Sequence, residues 1–312
     1  MRIKLSIFIL LFALSNVAHA QNGCGATKNW TDASCQVIGS GALKPQWTVI
    51  SRHGEYGQSE TECNIPSAVS VADGLLSITT SASSYTCGDF NANGTVRTSA
   101  ASWPYSTGDV QWNTFNFLYG TLEYRATYPP SSANPWPAHW LLAANCQNTN
   151  KYSGDTFSPC PDYNTTGYDE IDIQECYGGS CNANLHHNTT TQSCYYPSPN
   201  WDTNPHIITL NWTSSAVTIA RDGTQVCSWT TNIPSQALFL IIQTQTGGIG
   251  GTPVNGLLPV TLTTDYVKVT ANASTAGHSA GEVLFYDDFS PPAANPAQLG
   301  GAAKLSGAAA VK

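Results

Sequence analysis

Seven consecutive residues, Asp169-Glu170-Ile171-Asp172-Ile173-Gln174-Glu175, hold four of the chain's 20 acidic side chains, in a protein of 312 residues. The carboxylates alternate with β-branched residues, a strand-forming context in which crowded charge repels and loses hydration. Side chains two apart share a face of a strand, so Glu170 and Asp172 point the same way. Glu175, five positions from Glu170, has the wrong parity unless a β-bulge adds one residue between Asp172 and Glu175. With that bulge the two glutamates stand roughly 13 Å apart along the strand at about 3.3 Å per residue. Leaning together brings their carboxyls to about 5–6 Å, near the separation of a retaining glycosidase. One carboxylate would attack an anomeric carbon while the other, protonated, donates to the leaving oxygen. Asp172 would tune the nucleophile, and its charge would raise the acid's pKa. The plainer alternative is a polar edge strand with its acids in solvent.

The flanking motifs sharpen this. Glu170-Ile-Asp172-Ile-Gln-Glu175 resembles the bulged E-x-D-x-x-E active strand of glycoside hydrolase family 16, the laminarinase-like group. Tyr119-Gly120-Thr-Leu-Glu123-Tyr-Arg125 and Trp136-Pro137-Ala138-His139-Trp140-Leu141-Leu142 resemble two of that family's strands. So do Asn211-Trp212 with Arg221-Asp222-Gly223, and Thr264-Asp265-Tyr266-Val267-Lys268-Val269. The match runs in order from Trp47 to Val269. The chain lacks the E-x-D-x-E spacing of the lichenase and plant transglycosylase subgroups. Of the family's Asn-Asn-Glu segment, only Glu60 remains within Gln58-Ser59-Glu60-Thr61-Glu62, and Gln243-Thr-Gln245-Thr-Gly247-Gly248 is more polar than the family usually carries.

The resemblance implies Glu170 as nucleophile, Asp172 as assisting carboxylate and Glu175 as general acid/base. It implies a cleft with Trp136 and Trp140 stacking on sugar rings, core packing being the alternative for both. His186 would line the cleft, with a surface loop histidine as the alternative. Glu60 and Arg125 are further substrate contacts it suggests, although a structural ion pair serves Arg125 equally well. It implies no catalytic cofactor, but offers a structural calcium on Asp265 and Asp288, whose hard oxygens suit that ion.

The elements that must position these residues read as short runs of β-branched and aromatic residues punctuated by Gly, Pro, Asn and Ser. Leu75–Thr80, 115–124, 207–212, 217–220 and 238–243 are examples, and Asp222-Gly223 signals a hairpin turn. An all-β, two-sheet antiparallel sandwich follows. The resemblance specifies the concanavalin A-like jelly roll, with the cleft on its concave sheet.

Residues 1–20 have the form of a signal peptide: Arg2 and Lys4, an apolar run over 5–14, and the cleavage site Ala18-His-Ala20. Residues 21–270 are expected to form the catalytic domain, 271–281 a linker and 291–312 a disordered tail. Residues 282–290, Glu-Val-Leu-Phe-Tyr-Asp-Asp-Phe-Ser, look like the family's opening strand displaced to the other end of the chain. They are expected to return as an edge strand against the closing one. The ten cysteines of an exported chain read as disulfides, with Cys176–Cys181 and Cys146–Cys160 the pairings suggested by spacing.

A net charge of −8 with only 12 basic residues disfavours nucleic acid, anionic membranes and sulfated polysaccharides. The expected partner is a neutral polysaccharide, met outside the cell by a monomer that no longer touches the membrane once the leader is cut. Asn-x-Ser/Thr sequons begin at Asn29, Asn93, Asn164, Asn188, Asn211 and Asn272. The sequence reading is a secreted, retaining endo-β-1,3- or mixed β-1,3/1,4-glucanase. A β-agarase-type galactan hydrolase and a non-catalytic lectin are the alternatives.

Overall fold

The computed structural model describes residues 43, 45–54, 59–72, 74–90, 96–147, 161, 164–197 and 201–289. The leader, Cys160 and the 291–312 tail lie outside them. Two antiparallel sheets face one another, the jelly-roll sandwich expected from the strand pattern. The first has seven strands, in the spatial order Trp47–Val49, Asp109–Trp112, Leu238–Gln245, Trp136–Ala143, Asp169–Tyr177, Ser180–His187 and Thr190–Tyr195. The second runs Thr224–Trp229, Val217–Arg221, His206–Trp212, Gly120–Thr127, Val260–Thr270, Leu75–Thr80 and Val69–Ala72, with Val283–Asp287 added against Val260–Thr270.

Between the sheets lies the core. Leu122, Tyr124, Trp212, Ile219 and Leu262 of one sheet meet Leu141, Ile171, Ile173, Leu185, Leu240 and Ile242 of the other. Burying a side chain of this kind stabilises the fold by about 1.5–3 kcal/mol. The two sheets differ in their second faces. Along Gly120–Thr127, buried Leu122, Tyr124 and Ala126 alternate with half-buried Thr121, Glu123 and Arg125, the mark of a strand with one wet face. Trp136–Ala143 and Leu238–Gln245 are buried at every position. Their outward side chains are therefore shielded as well, which is how a cleft floor differs from an open surface.

Several boundaries move. The run expected over 115–124 begins its strand only at Gly120, because Tyr119 (φ 60°) and Gly120 (φ 145°) turn the chain there. Asp222 and Gly223, at φ 51° and 79°, form the hairpin turn between Val217–Arg221 and Thr224–Trp229.

The segment singled out near the C-terminus contains a strand, Val283–Asp287, paired antiparallel with residues 267–270 of the closing strand. Leu75–Thr80 pairs with residues 260–264 of that strand. Trp47 Nε1 donates to Asp287 Oδ2 at 2.9 Å, which ties the first strand of the cleft sheet to this last one. The expected linker is corrected. Residues 271–281 form a pinned turn, in which Asn272 Nδ2 donates to Asn211 Oδ1 and to the Trp212 carbonyl, and Thr275 Oγ1 donates to the Tyr119 carbonyl. Its small polar residues make turn contacts that composition alone does not distinguish from a free tether.

Disulfides join Cys63 to Cys87, Cys176 to Cys181 and Cys194 to Cys227. The second is the pairing read from spacing, and the third links an edge strand of each sheet. Cys146 is also disulfide-bonded, with a partner outside the described residues.

Candidate active site

The strand Asp169–Tyr177 carries the bulge that parity required. Its register against Ser180–His187 slips between Asp172 and Glu175, and against Trp136–Ala143 it skips Ile173. The slip returns Glu175 to the face of Glu170 and Asp172 while Ile171 and Ile173 stay in the core. The three acids line one cleft with Trp136, Trp140, Asn184, His186, Gln243 and Gln245, and with Tyr177, Thr191 and Ile249 at its sides.

A bulge leaves carbonyls that the ladder no longer pairs regularly. Here the core supplies donors from below. The Tyr196 hydroxyl donates to the Ile173 carbonyl at 2.6 Å, and that of Tyr128 donates to the Gln174 carbonyl at 3.3 Å. Tyr128 is held in turn by His139 Nδ1 at 2.7 Å, and His139 Nε2 lies 3.0 Å from Thr264 Oγ1. Burial lowers the His139 pKa to about 3, so the ring is neutral. A proton on Nδ1 satisfies both contacts: His139 donates to Tyr128, and Thr264 donates to Nε2. The ring stacks on Tyr124 of the facing sheet, centroids 4.1 Å apart.

On the cleft side, Glu175 accepts from Trp136 Nε1 at 2.8 Å and from Asn184 Nδ2 at 3.0 Å. Glu170 accepts a short hydrogen bond from the Tyr168 hydroxyl. His186 Nε2 lies 3.1 Å from Asp172 Oδ2 and 3.5 Å from Glu170 Oε1, and its Nδ1 is 3.0 Å from Thr191 Oγ1. Burial, and then the Asp172 charge, push the carboxyls of both Glu170 and Glu175 well above the usual range. The Tyr168 hydroxyl works the other way on Glu170, favouring its ionised form. Among the described residues no lysine or arginine lines the cleft. This is a set of carboxyls able to hold and pass protons, not a neutralised ion cluster.

Other expected site residues fall differently. Trp136 and Trp140 do line the cleft, but at 3% and 1% exposure they form its floor, not open stacking platforms, and the Trp136 indole N–H is engaged by Glu175. The substrate contact expected of Arg125 is corrected: it lies on the second sheet, on the far side of the core, and its guanidinium pairs with Asp265 at 2.5 Å. Parity explains this, since Arg125 alternates with core residues Tyr124 and Ala126 and must face outward. Glu60 is 1% exposed and is not among the side chains lining the cleft, its backbone bridged to Gly247. Of the two carboxylates suggested for calcium, Asp265 pairs with the Arg125 guanidinium at 2.5 Å, and Asp288 is buried just beyond the strand Val283–Asp287.

Tyr168, Asn184, Tyr128, Tyr196 and His139 were not anticipated. Asn184 was within reach, because Asn182, Asn184 and His186 repeat at the strand period beside the acidic strand. The tyrosines act through tertiary contacts and leave no local signal.

No family model matches the chain, and no curated protein sequence matches it. Solved structures do share its fold. The laminarinase catalytic domain of Thermotoga maritima is 20% identical over 75% of this chain and 94% of its own, with a TM-score of 0.57. The LamA protein of Zobellia galactanivorans, solved with laminaritriose and laminaritetraose, is 24% identical over 73% and 94%, with a TM-score of 0.59. A structure reported for endo-acting O-glycanases of human gut bacteria that initiate mucin breakdown is 22% identical over 76% and 89%, with a TM-score of 0.60. At such identities the likeness establishes the fold, and the chemistry has to be argued from the site.

Proposed function

We propose that this protein is a retaining, endo-acting glycoside hydrolase of the family 16 laminarinase-like group, which cleaves β-1,3 or mixed β-1,3/1,4 glucans. One observation carries the reading: the bulge between Asp172 and Glu175 brings three acids onto one face of a cleft that, among the described residues, no lysine or arginine lines. Ionised Glu170 attacks the anomeric carbon while Glu175 passes its proton to the departing glycosidic oxygen, so the C–O bond breaks as the glycosyl ester forms. Glu175, now a carboxylate, takes a proton from water. The resulting hydroxide attacks the same carbon, frees Glu170 and restores the original anomeric configuration.

Burial and the Asp172 charge raise the Glu175 pKa, which supports its role as acid; they raise that of Glu170 as well, and there the Tyr168 hydroxyl opposes the rise and favours the ionised form. Asp172, between them and bonded to His186, places a carboxyl beside the nucleophile, where a developing positive charge on the sugar would be stabilised. Neutral amides at Asn184, Gln243 and Gln245 suit sugar hydroxyls and offer no positive charge to a sulfate. The disulfides support an extracellular site of action, reached through the leader at residues 1–20.

A reducing-sugar assay on laminarin, mixed-linkage glucan, agarose and mucin glycans tests the substrate class, with release from the first two expected. NMR of the first-formed anomer tests the mechanism, because an inverted product would remove Glu170 from the nucleophile's role. A lectin would bind the same glucans without turnover.

A further inference from the structure

The cleft face extends beyond the acids, and the strand register shows where. Glu175 lies opposite Asn182, and Asn182 lies opposite Tyr195 on the edge strand. Register preserves facing, so Tyr195 stands on the same side of the sheet as Glu175. Thr191, four residues back along that edge strand and of the same parity, lines the cleft. Two strand spacings put the Tyr195 backbone roughly 10 Å from that of Glu175.

Scattered exposed hydrophobics mean little in themselves. Tyr195 differs by its row and by its neighbours. It is 71% exposed, whereas Trp136 and Trp140 on the floor show 3% and 1%. Asn182 donates through Nδ2 to the Tyr177 hydroxyl at 3.3 Å, and Tyr177 lines the cleft with its ring edge-on to Trp136. Both tyrosines directly follow disulfide-bonded cysteines, Cys176 and Cys194. Their backbones are thus held in place before any ligand arrives, which lowers the ordering cost of binding. A rigid aromatic ring with a polar tip suits the alternating C–H and O–H faces of a pyranose.

We propose that Tyr195, with Tyr177 and Asn182, forms an outlying subsite of this cleft that takes a neutral pyranose ring of the glucan chain, away from the bond being cut. The proposal rests on the glucanase reading and adds a chain-length dependence to it. Only oligosaccharides long enough to reach from the acids to Tyr195 gain from the subsite.

Tyr195→Ala in the full chain tests this against laminari-oligosaccharides of increasing length and against laminarin. KM is expected to rise about 3- to 10-fold for the long substrates, with kcat unchanged and no effect on the shortest cleaved substrate. Tyr195→Trp should restore the long-chain KM. An equal KM change at every length, or none at any length, overturns the proposal. Affinity electrophoresis in gels containing laminarin separates the two readings. If the wild-type chain hydrolyses nothing yet is retarded, the catalytic reading fails, and loss of retardation in Tyr195→Ala still supports the subsite. If the wild-type chain is not retarded, or Tyr195→Ala is retarded equally, the subsite fails.

Discussion

Two faces of this sandwich carry acids on strands and treat them in opposite ways. On the outer face of the second sheet two acids have basic partners: Glu123 pairs with Lys268 at 3.2 Å and Asp265 with Arg125 at 2.5 Å. On the cleft face Glu170, Asp172 and Glu175 crowd together with a histidine, an amide, an indole and a phenol for company. The first arrangement satisfies charge locally and contributes little to stability, as partly exposed pairs do. The second leaves carboxyls buried and mutually repelling, a cost that concentrates where shifted proton affinity is of use. What separates them is the company the carboxylates keep, not their number.

The sharpest way to break this contrast is to remove one cleft charge while keeping its shape. Glu170→Gln is expected to lower kcat by about 10³-fold or more, with glucan affinity retained in affinity electrophoresis. Activity within tenfold of wild type would make the cleft acids no more special than the outer pairs. Next in size is the support beneath the bulge. Tyr196→Phe removes the donor to the Ile173 carbonyl and should cost on the order of tenfold in kcat, with KM little changed, because a small shift of Glu175 relative to Glu170 matters more than lost binding. A fall in melting temperature with kcat intact would assign Tyr196 to stability alone.

A third test concerns pH. Burial and the neighbouring Glu60 push the Glu62 carboxyl up to about 8, although it accepts hydrogen bonds from Thr246 and Thr61 behind the cleft wall. The unfolded chain gives up this proton near 4.5 and the folded chain near 8. Between these values the folded state binds more protons, so stability is greatest at low pH within that window and falls as pH rises through it. Glu62→Gln should flatten that fall, as read by melting temperature across the window. An unchanged slope would place the proton elsewhere.

The smallest effect belongs to the outer face. Arg125→Ala should leave kcat and KM unchanged and cost about 0–1 kcal/mol in denaturant unfolding. A tenfold loss of activity would show that the two faces are coupled.

The acidic strand was legible because period-two alternation fails there in one specific way. Only a bulge reconciles Glu170 with Glu175, and the register shows that slip. The sandwich was legible from β-branched runs and turn residues, and Cys176–Cys181 from a spacing that fits one hairpin. Arg125 was misplaced because a motif gives neighbours in sequence without saying which sheet they join. Residues 271–281 were misread because small polar residues serve a pinned turn as well as a tether.

By itself the sequence determined which side chains could perform acid–base chemistry and the parity defect they needed, since both are properties of one strand. Tertiary structure alone decided that Tyr196 and Tyr128 would cap the bulge, that His139 would be a neutral strut and that Arg125 would face away from the cleft. Each of these depends on contacts between residues distant in sequence, and a one-dimensional pattern carries no information on which distant groups meet.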